Sequence, residues 1–296
     1  MATIITDLKD NFRRGPVYIR LIYINVGIFI LTALTEVMLQ LFNRSLAGAF
    51  QWLELPASFQ RFVIQPWSLL TYMFIHAGFV HVLFNMLWLY WFGTLFLNLF
   101  SAKHLRGVYI LGGMCGGLLY MAAYNIFPYF IPMVNGTFML GASASVLAVV
   151  TATAYREPNH PIHLLIFGTV RLKYLALVVI GVDLLFVTSG NAGGHIAHLG
   201  GALAGLWFAV ALNKGTDIVL WINKCLDMLL SLFSFKSRKP KMKVHYGAGR
   251  EKDYDYNARK KVQSDEIDRI LDKLKKSGYE SLTAEEKKSL FDASKR

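Results

Sequence analysis

A chain of 296 residues that is 54% hydrophobic and only 17% charged is too apolar for an ordinary soluble domain of that length. Its net charge of +12 gathers at the N-terminus, in alternate loops and in the tail, with no recognition motif, so it encodes membrane topology and no nucleic-acid partner is expected. The two cysteines, Cys115 and Cys225, both lie in apolar stretches and define neither a disulfide framework nor a CxxC metal site.

In chain order, residues 1–16 are polar and basic and read as a cytosolic segment ahead of a retained signal-anchor helix. Six apolar spans follow, at about 17–41, 80–99, 107–127, 138–155, 172–188 and 195–212, so 17–213 is expected to be a six-helix membrane core. Arg13 and Arg14 precede span one, Lys103 and Arg106 follow span two, and Arg156, Arg171 and Lys173 follow span four. The loops after spans three and five carry no Lys or Arg. The positive-inside rule then places both termini in the cytoplasm, and spans two, four and six enter from the outer face. The loop at about 42–79, with Trp52, Phe59, Phe62 and Trp67, is long enough to carry structure of its own and aromatic enough to lie in the interface.

Beyond the core, residues 214–236 read as an amphipathic interfacial helix and not a seventh span, because Asn223, Lys224, Asp227, Ser231 and Ser234 form one polar stripe. A basic linker, 237–262, leads to a small cytosolic helical hairpin, 263–296. There Ser264 is expected to cap a first helix with an Ile267, Ile270, Leu271 and Leu274 stripe. Gly278 ends it, and Thr283 with Glu286 forms a capping box for a second helix. The sequence names no partner for this hairpin.

Polar groups at membrane depth need a partner or a function, and three clusters of them interrupt the spans. They are His76 with His81 and Asn85, then Gly141-Ala142-Ser143-Ala144-Ser145, then His195-Ile196-Ala197-His198-Leu199-Gly200-Gly201. All three open spans that enter from the outer face, so they are expected at one depth. A serine hydroxyl becomes a nucleophile when an imidazole within reach takes its proton. His81 and Asn85, four apart on a helix, face the same way and can offer hydrogen-bond donors to an oxyanion, joined by the Ser143 N–H. Ala144, Ala148 and Ala152 on span four, with Gly201 and Gly205 on span six, are small enough to let the two backbones meet.

The bland readings stand beside these. A lone serine in a span usually bonds its own helix backbone, and the catalytic reading of Ser143 rests on its conjunction with His198, His81 and Asn85. His195 and His198 are spaced to share a metal, but no third ligand is apparent and HExxH is absent, so neither metal nor cofactor is expected. His76 reads as a structural hydrogen-bonder, and Glu36 and Asp183 as paired structural carboxylates.

These motifs, in this order, resemble the rhomboid family of intramembrane serine proteases, over about residues 67–207. The resemblance implies an all-α, six-helix rhomboid-like membrane bundle that hydrolyses peptide bonds in or near transmembrane segments of membrane-protein substrates. It implies Ser143 as nucleophile, His198 as base, and His81, Asn85 and the Ser143 N–H as the oxyanion hole, with His76, Gly141, Gly201 and Leu147 in support. No Asp or Glu appears placed to complete a triad. Three positions depart from the family pattern: Ala144 follows the serine in place of glycine, Leu147 stands where an aromatic is common, and Ser68 follows Trp67 in place of arginine. The expected setting is the lipid bilayer of a bacterial inner membrane, with the site opening to the periplasmic side. The alternative is a non-catalytic rhomboid-like protein that binds membrane clients for quality control.

Overall fold

In hydrocarbon a spanning segment must satisfy its own backbone amides, so long apolar runs become helices. The computed structural model describes residues 2–44, 47–164, 168–233 and 250–294, in two units, 1–234 and 235–296. The first unit holds α1 (Ala2–Arg14), α2 (Val17–Leu41), the short α3 (Ala47–Phe50), α4 (Phe59–Ile64) and α5 (Ser68–Thr71), then α6 (Phe79–Leu99), α7 (Ala102–Ile126), α8 (Ser143–Arg156), α9 (Leu172–Leu185), α10 (Ala192–Asn213) and α11 (Leu220–Phe233). Four strands lie between helices: β1 (Leu55–Pro56) pairs antiparallel with β2 (Phe138–Met139), and β3 (Pro161–Leu164) with β4 (Gly168–Arg171).

Among the described residues four helices, α2, α6, α7 and α10, are long and apolar enough to cross a membrane. The runs expected as spans four and five form shorter helices, α8 and α9, of 14 residues each. Fourteen residues rise about 21 Å, short of the roughly 30 Å hydrocarbon core. The cause at α8 is local: Phe138 and Met139 pair with the loop strand β1, and Gly141 turns the chain at φ +126° before the helix begins at Ser143. Every residue from Ala144 to Ala154 is buried, so α8 meets protein on all sides.

Small residues determine what packs on α8. A Cβ on Gly201 or Gly205 of α10 would run into the carbonyls of Ala144 and Ala148, and one on Gly112 of α7 into the Ala148 side chain. The small stripes on α8 and α10 therefore meet at backbone contact, as expected. By contrast α2 buries only Tyr18, Leu21 and Asn25 and exposes Ile30, Leu31, Leu34, Val37 and Met38, the pattern of a helix facing lipid. Asn25 is its polar anchor: Nδ2 donates to Tyr109 Oη at 3.1 Å, and Tyr109 Oη donates to the Met73 carbonyl at 3.2 Å.

The first loop carries structure, as its length suggests. Trp52 and Trp67 stack with ring centroids 6.1 Å apart, and Trp67 Nε1 donates to the Trp52 carbonyl at 2.8 Å. Gln65 Nε2 donates to the carbonyls of Gln51 and Glu54, and Thr71 Oγ1 to that of Leu53. The loop is thus closed by its own hydrogen bonds without an arginine at position 68.

The polar stripe on α11 has a use beyond facing water. Asn223 is buried, donating to the Lys103 carbonyl at 3.1 Å and accepting from Arg106 Nε at 2.5 Å. Arg106 also reaches Asp227 at 2.6 Å and, with Lys103, holds that carboxyl below the usual carboxylate range. Two members of the stripe therefore dock α11 on the start of α7, while Ser234 lies outside the described residues.

In the second unit α12 (Arg250–Ser277) begins well before Ser264, the expected cap. Ala258, Arg259, Lys260, Lys261 and Gln263 are good helix formers and carry the helix through the stretch read as linker; the rest of the expected linker, to 249, lies outside the described residues. Gly278, at φ +74°, ends it as expected. The capping box at α13 (Ala284–Ser294) is present, with the Thr283 N–H donating to Glu286 Oε2 at 2.8 Å and the Glu286 N–H to Thr283 Oγ1 at 3.3 Å.

Candidate active site

Ser143 is the first residue of α8, so its N–H has no intrahelical acceptor. The segment ahead of it is pinned from outside the helix: the Ala57 N–H donates to the Thr137 carbonyl, and the Gly141 N–H to the Tyr72 carbonyl at 3.0 Å. Gly141 is required twice over. Its φ is one that side chains rarely adopt, and a Cβ there would lie 2.8 Å from Cε1 of the His81 ring.

His198 comes from the first half of α10, three residues before Gly201, whose contact with Ala144 sets how near the two helices stand. Its Nε2 lies 2.6 Å from Ser143 Oγ. That is the separation at which a hydroxyl proton can be passed to an imidazole. Ser143 and His198 line one cavity of about 1000 Å³ together with His81, Asn85, Trp88 and Leu147. His81 and Asn85 sit one turn apart on α6, and Asn85 Nδ2 donates to the His81 carbonyl at 2.9 Å, leaving the second amide hydrogen for the cavity.

The supporting residues fall as follows. Leu147 is buried one turn below Ser143 and reaches the cavity wall. Ala144 meets a Gly116 position too tight for any Cβ, so a small residue after the serine matters more than glycine itself. The His76 ring is buried and packs edge-on against His81 with centroids 5.1 Å apart. It supports His81 by contact.

Asp183 on α9 is buried, and its Oδ1 lies 2.8 Å from His198 Nδ1 and 2.8 Å from His195 Nδ1. An acidic residue is therefore placed on the catalytic histidine candidate, contrary to the expectation that none was. The pairing expected of Asp183 as a buried carboxylate holds; what spacing along the chain did not reveal was its partner. Contrary to the expectation that His195 and His198 lack a third ligand, Asp183 joins them, and the ligand atoms of the three residues all lie within 4.8 Å of one another. Two nitrogens at 2.8 Å from one oxygen have the separation of two N–H donors sharing an acceptor.

Apolar helices with exposed aliphatic faces, enclosing a cavity lined by a serine–imidazole pair, define an integral membrane protein. A family model described as the Rhomboid domain matches residues 64–215, and this chain belongs to the rhomboid family. A second model, a family of unknown function (DUF6576), matches residues 250–296. The chain is 30% identical over 157 residues to the Arabidopsis thaliana "RHOMBOID-like protein 12, mitochondrial", covering 50% of this chain and 47% of the relative. It is 26% identical over 145 residues to the Haemophilus influenzae "Rhomboid protease GlpG", covering 48% and 67%. It is 25% identical over 198 residues to the Yersinia pseudotuberculosis "Rhomboid protease GlpG", covering 66% and 62%. The chain spans about half of the first of these relatives and no more than about two thirds of the others.

Proposed function

We propose that this protein is an intramembrane serine endopeptidase that uses Ser143 and His198 to cut membrane-protein substrates in or near a transmembrane segment. The observation that carries the reading is the 2.6 Å approach of Ser143 Oγ to His198 Nε2 at the cavity wall. His198 takes the hydroxyl proton as the serine oxygen bonds to the scissile carbonyl carbon. The oxyanion is held by the Ser143 N–H and by donors from His81 and Asn85. His198 then gives its proton to the leaving amine, the C–N bond breaks, and water, deprotonated by His198, resolves the acyl-enzyme.

The same reading takes α8 and α9 as the fourth and fifth members of a six-helix bundle. The bilayer setting has both termini cytoplasmic and the cavity open to the outer side, in a bacterial inner membrane. The basic residues at 103, 106, 156, 171 and 173 support that orientation.

The test compares wild type with Ser143→Ala and His198→Ala in detergent, using a single-span substrate and a fluorophosphonate probe. Cleavage and labelling in the wild type, both lost in the two variants, are expected. A folded wild type that neither labels nor cleaves would replace this reading with the client-binding one.

A further inference from the structure

We infer that Asp183 is a positioning residue for His198, so that Ser143, His198 and Asp183 form a three-member array, with His195 steadying the carboxylate. The inference rests on the proposed roles of Ser143 and His198 and adds what sets the state of the imidazole between them.

The two ring nitrogens of His198 have different partners. Nε2 faces Ser143 Oγ at 2.6 Å and Nδ1 faces Asp183 Oδ1 at 2.8 Å. An ionised carboxylate only accepts, so Nδ1 must carry a hydrogen to bond it. The neutral imidazole then has its lone pair on Nε2, aimed at the serine hydroxyl, which is the tautomer a general base needs. When His198 takes the serine proton, the positive charge that develops lies beside a buried carboxylate, where such stabilisation is stronger than in open water.

The carboxylate is itself held. His195, one turn before His198 on α10, donates from Nδ1 to the same Oδ1 at 2.8 Å. The Phe186 ring lies against His195 with centroids 6.1 Å apart. Asp183 is only 4% exposed in a helix otherwise made of apolar residues, Gly181 and Lys173, and Tyr174. A carboxylate in such a place is costly without partners, and Oδ2 has no protein partner among the described residues. The interactions of this buried group are therefore concentrated on two imidazoles, one of which is the candidate base.

The experiment uses the full chain in detergent, with Asp183→Asn, Asp183→Glu and His195→Gln. Asparagine keeps the shape of the side chain but can present an amide N–H₂ to Nδ1, which stabilises the wrong tautomer. Asp183→Asn is expected to lower kcat and the fluorophosphonate labelling rate by at least about tenfold, up to about the 10⁴-fold seen when a triad aspartate is so changed in a soluble protease, with KM within about twofold. Asp183→Glu is expected to recover part of the loss, and His195→Gln to lower kcat by a smaller factor. Imidazole ¹⁵N spectra are expected to show His198 protonated at Nδ1 in the wild type and not in Asp183→Asn. Unchanged kcat in a folded Asp183→Asn, or a kcat loss that only follows a lowered unfolding midpoint with no gain in Asp183→Glu, would overturn the inference. So would a wild-type His198 protonated at Nε2. If the wild type neither labels nor cleaves, the hydrolase reading fails, and the nitrogen spectra still decide whether Asp183 sets the His198 tautomer.

Discussion

Gly201 of α10 stands against the main chain of Ala144 on α8, so close that a Cβ on the glycine would lie 3.0 Å from the Ala144 Cα and nearer still to its carbonyl. Ala144 follows Ser143 and Gly201 follows His198 by three residues, so this contact sets how near the Ser143 and His198 side chains stand. A seam of small residues that would otherwise serve only packing thus also sets the geometry of the site.

Gly201→Leu is therefore expected to force α8 and α10 apart. The obstructing atoms are backbone and cannot rotate away, so overpacking of about 1–3 kcal/mol or more is expected. The unfolding midpoint should fall and fluorophosphonate labelling should be lost. Gly27→Ala is the control: nothing lies within 4 Å of its Cβ position, and alanine favours the helix by about 1 kcal/mol. Labelling retained at the wild-type rate in Gly201→Leu would separate the small-residue seam from the site.

Gly141→Ala tests the turn that starts α8. The backbone at φ +126° is strained for any side chain, by about 1–3 kcal/mol, and the new methyl would press on the His81 ring. Both effects act on the His81 side of the cavity. The expected result is a fall in kcat larger than the fall in the unfolding midpoint would account for, measured by cleavage kinetics alongside thermal melts. An alanine variant with wild-type kcat would show that His81 does not need its observed position.

Much of the site could be read before any coordinates, because Ser143, His198, His81 and Asn85 each sit in a short motif near the start of a helix. The close approach of α8 and α10 could be read too, since Ala144, Ala148, Gly201 and Gly205 announce it by size. Asp183 could not be matched to His198 in that way. Its pairing depends on how α9 is rotated against α10, a tertiary property that spacing along one helix does not carry. The start of α8 was hidden for a similar reason: Phe138 and Met139 look like the head of a span, but they pair with Leu55 and Pro56, more than eighty residues earlier. At 250–262 the charge of the residues suggests a linker, while their helix propensity favours the helix that forms.

Asn25→Leu is expected to loosen α2. The substitution removes the bond to Tyr109 and leaves a hydroxyl that is buried and bonded to Met73 alone. A polar contact between membrane helices is worth about 0.6–2 kcal/mol, so a small drop in the unfolding midpoint is expected with labelling by the fluorophosphonate probe retained. Loss of labelling at unchanged stability would instead tie α2 to the site.

The second unit gives a prediction in pH. Lys273 Nζ donates to Glu286 Oε2 at 2.8 Å and the Thr283 N–H donates to the same oxygen, and these contacts hold the Glu286 carboxyl down at about 2, from an ordinary 4.5. A carboxyl depressed on folding contributes stability that is fully present above its unfolded value and is lost as pH falls toward its folded value. The α12–α13 contact should therefore hold at pH 6 and weaken between about 4.5 and 2. Hydrogen exchange of α13 amides in the intact chain, corrected for intrinsic rates, is expected to show less protection at pH 3 than at pH 6. Glu286→Gln should lower protection at pH 6 and flatten that pH dependence, because the amide carries no charge for Lys273 to meet. Equal protection at both pH values in the wild type would mean that the hairpin is held by apolar contacts, Ile270 and Leu282 being buried, and not by the Lys273–Glu286 pair.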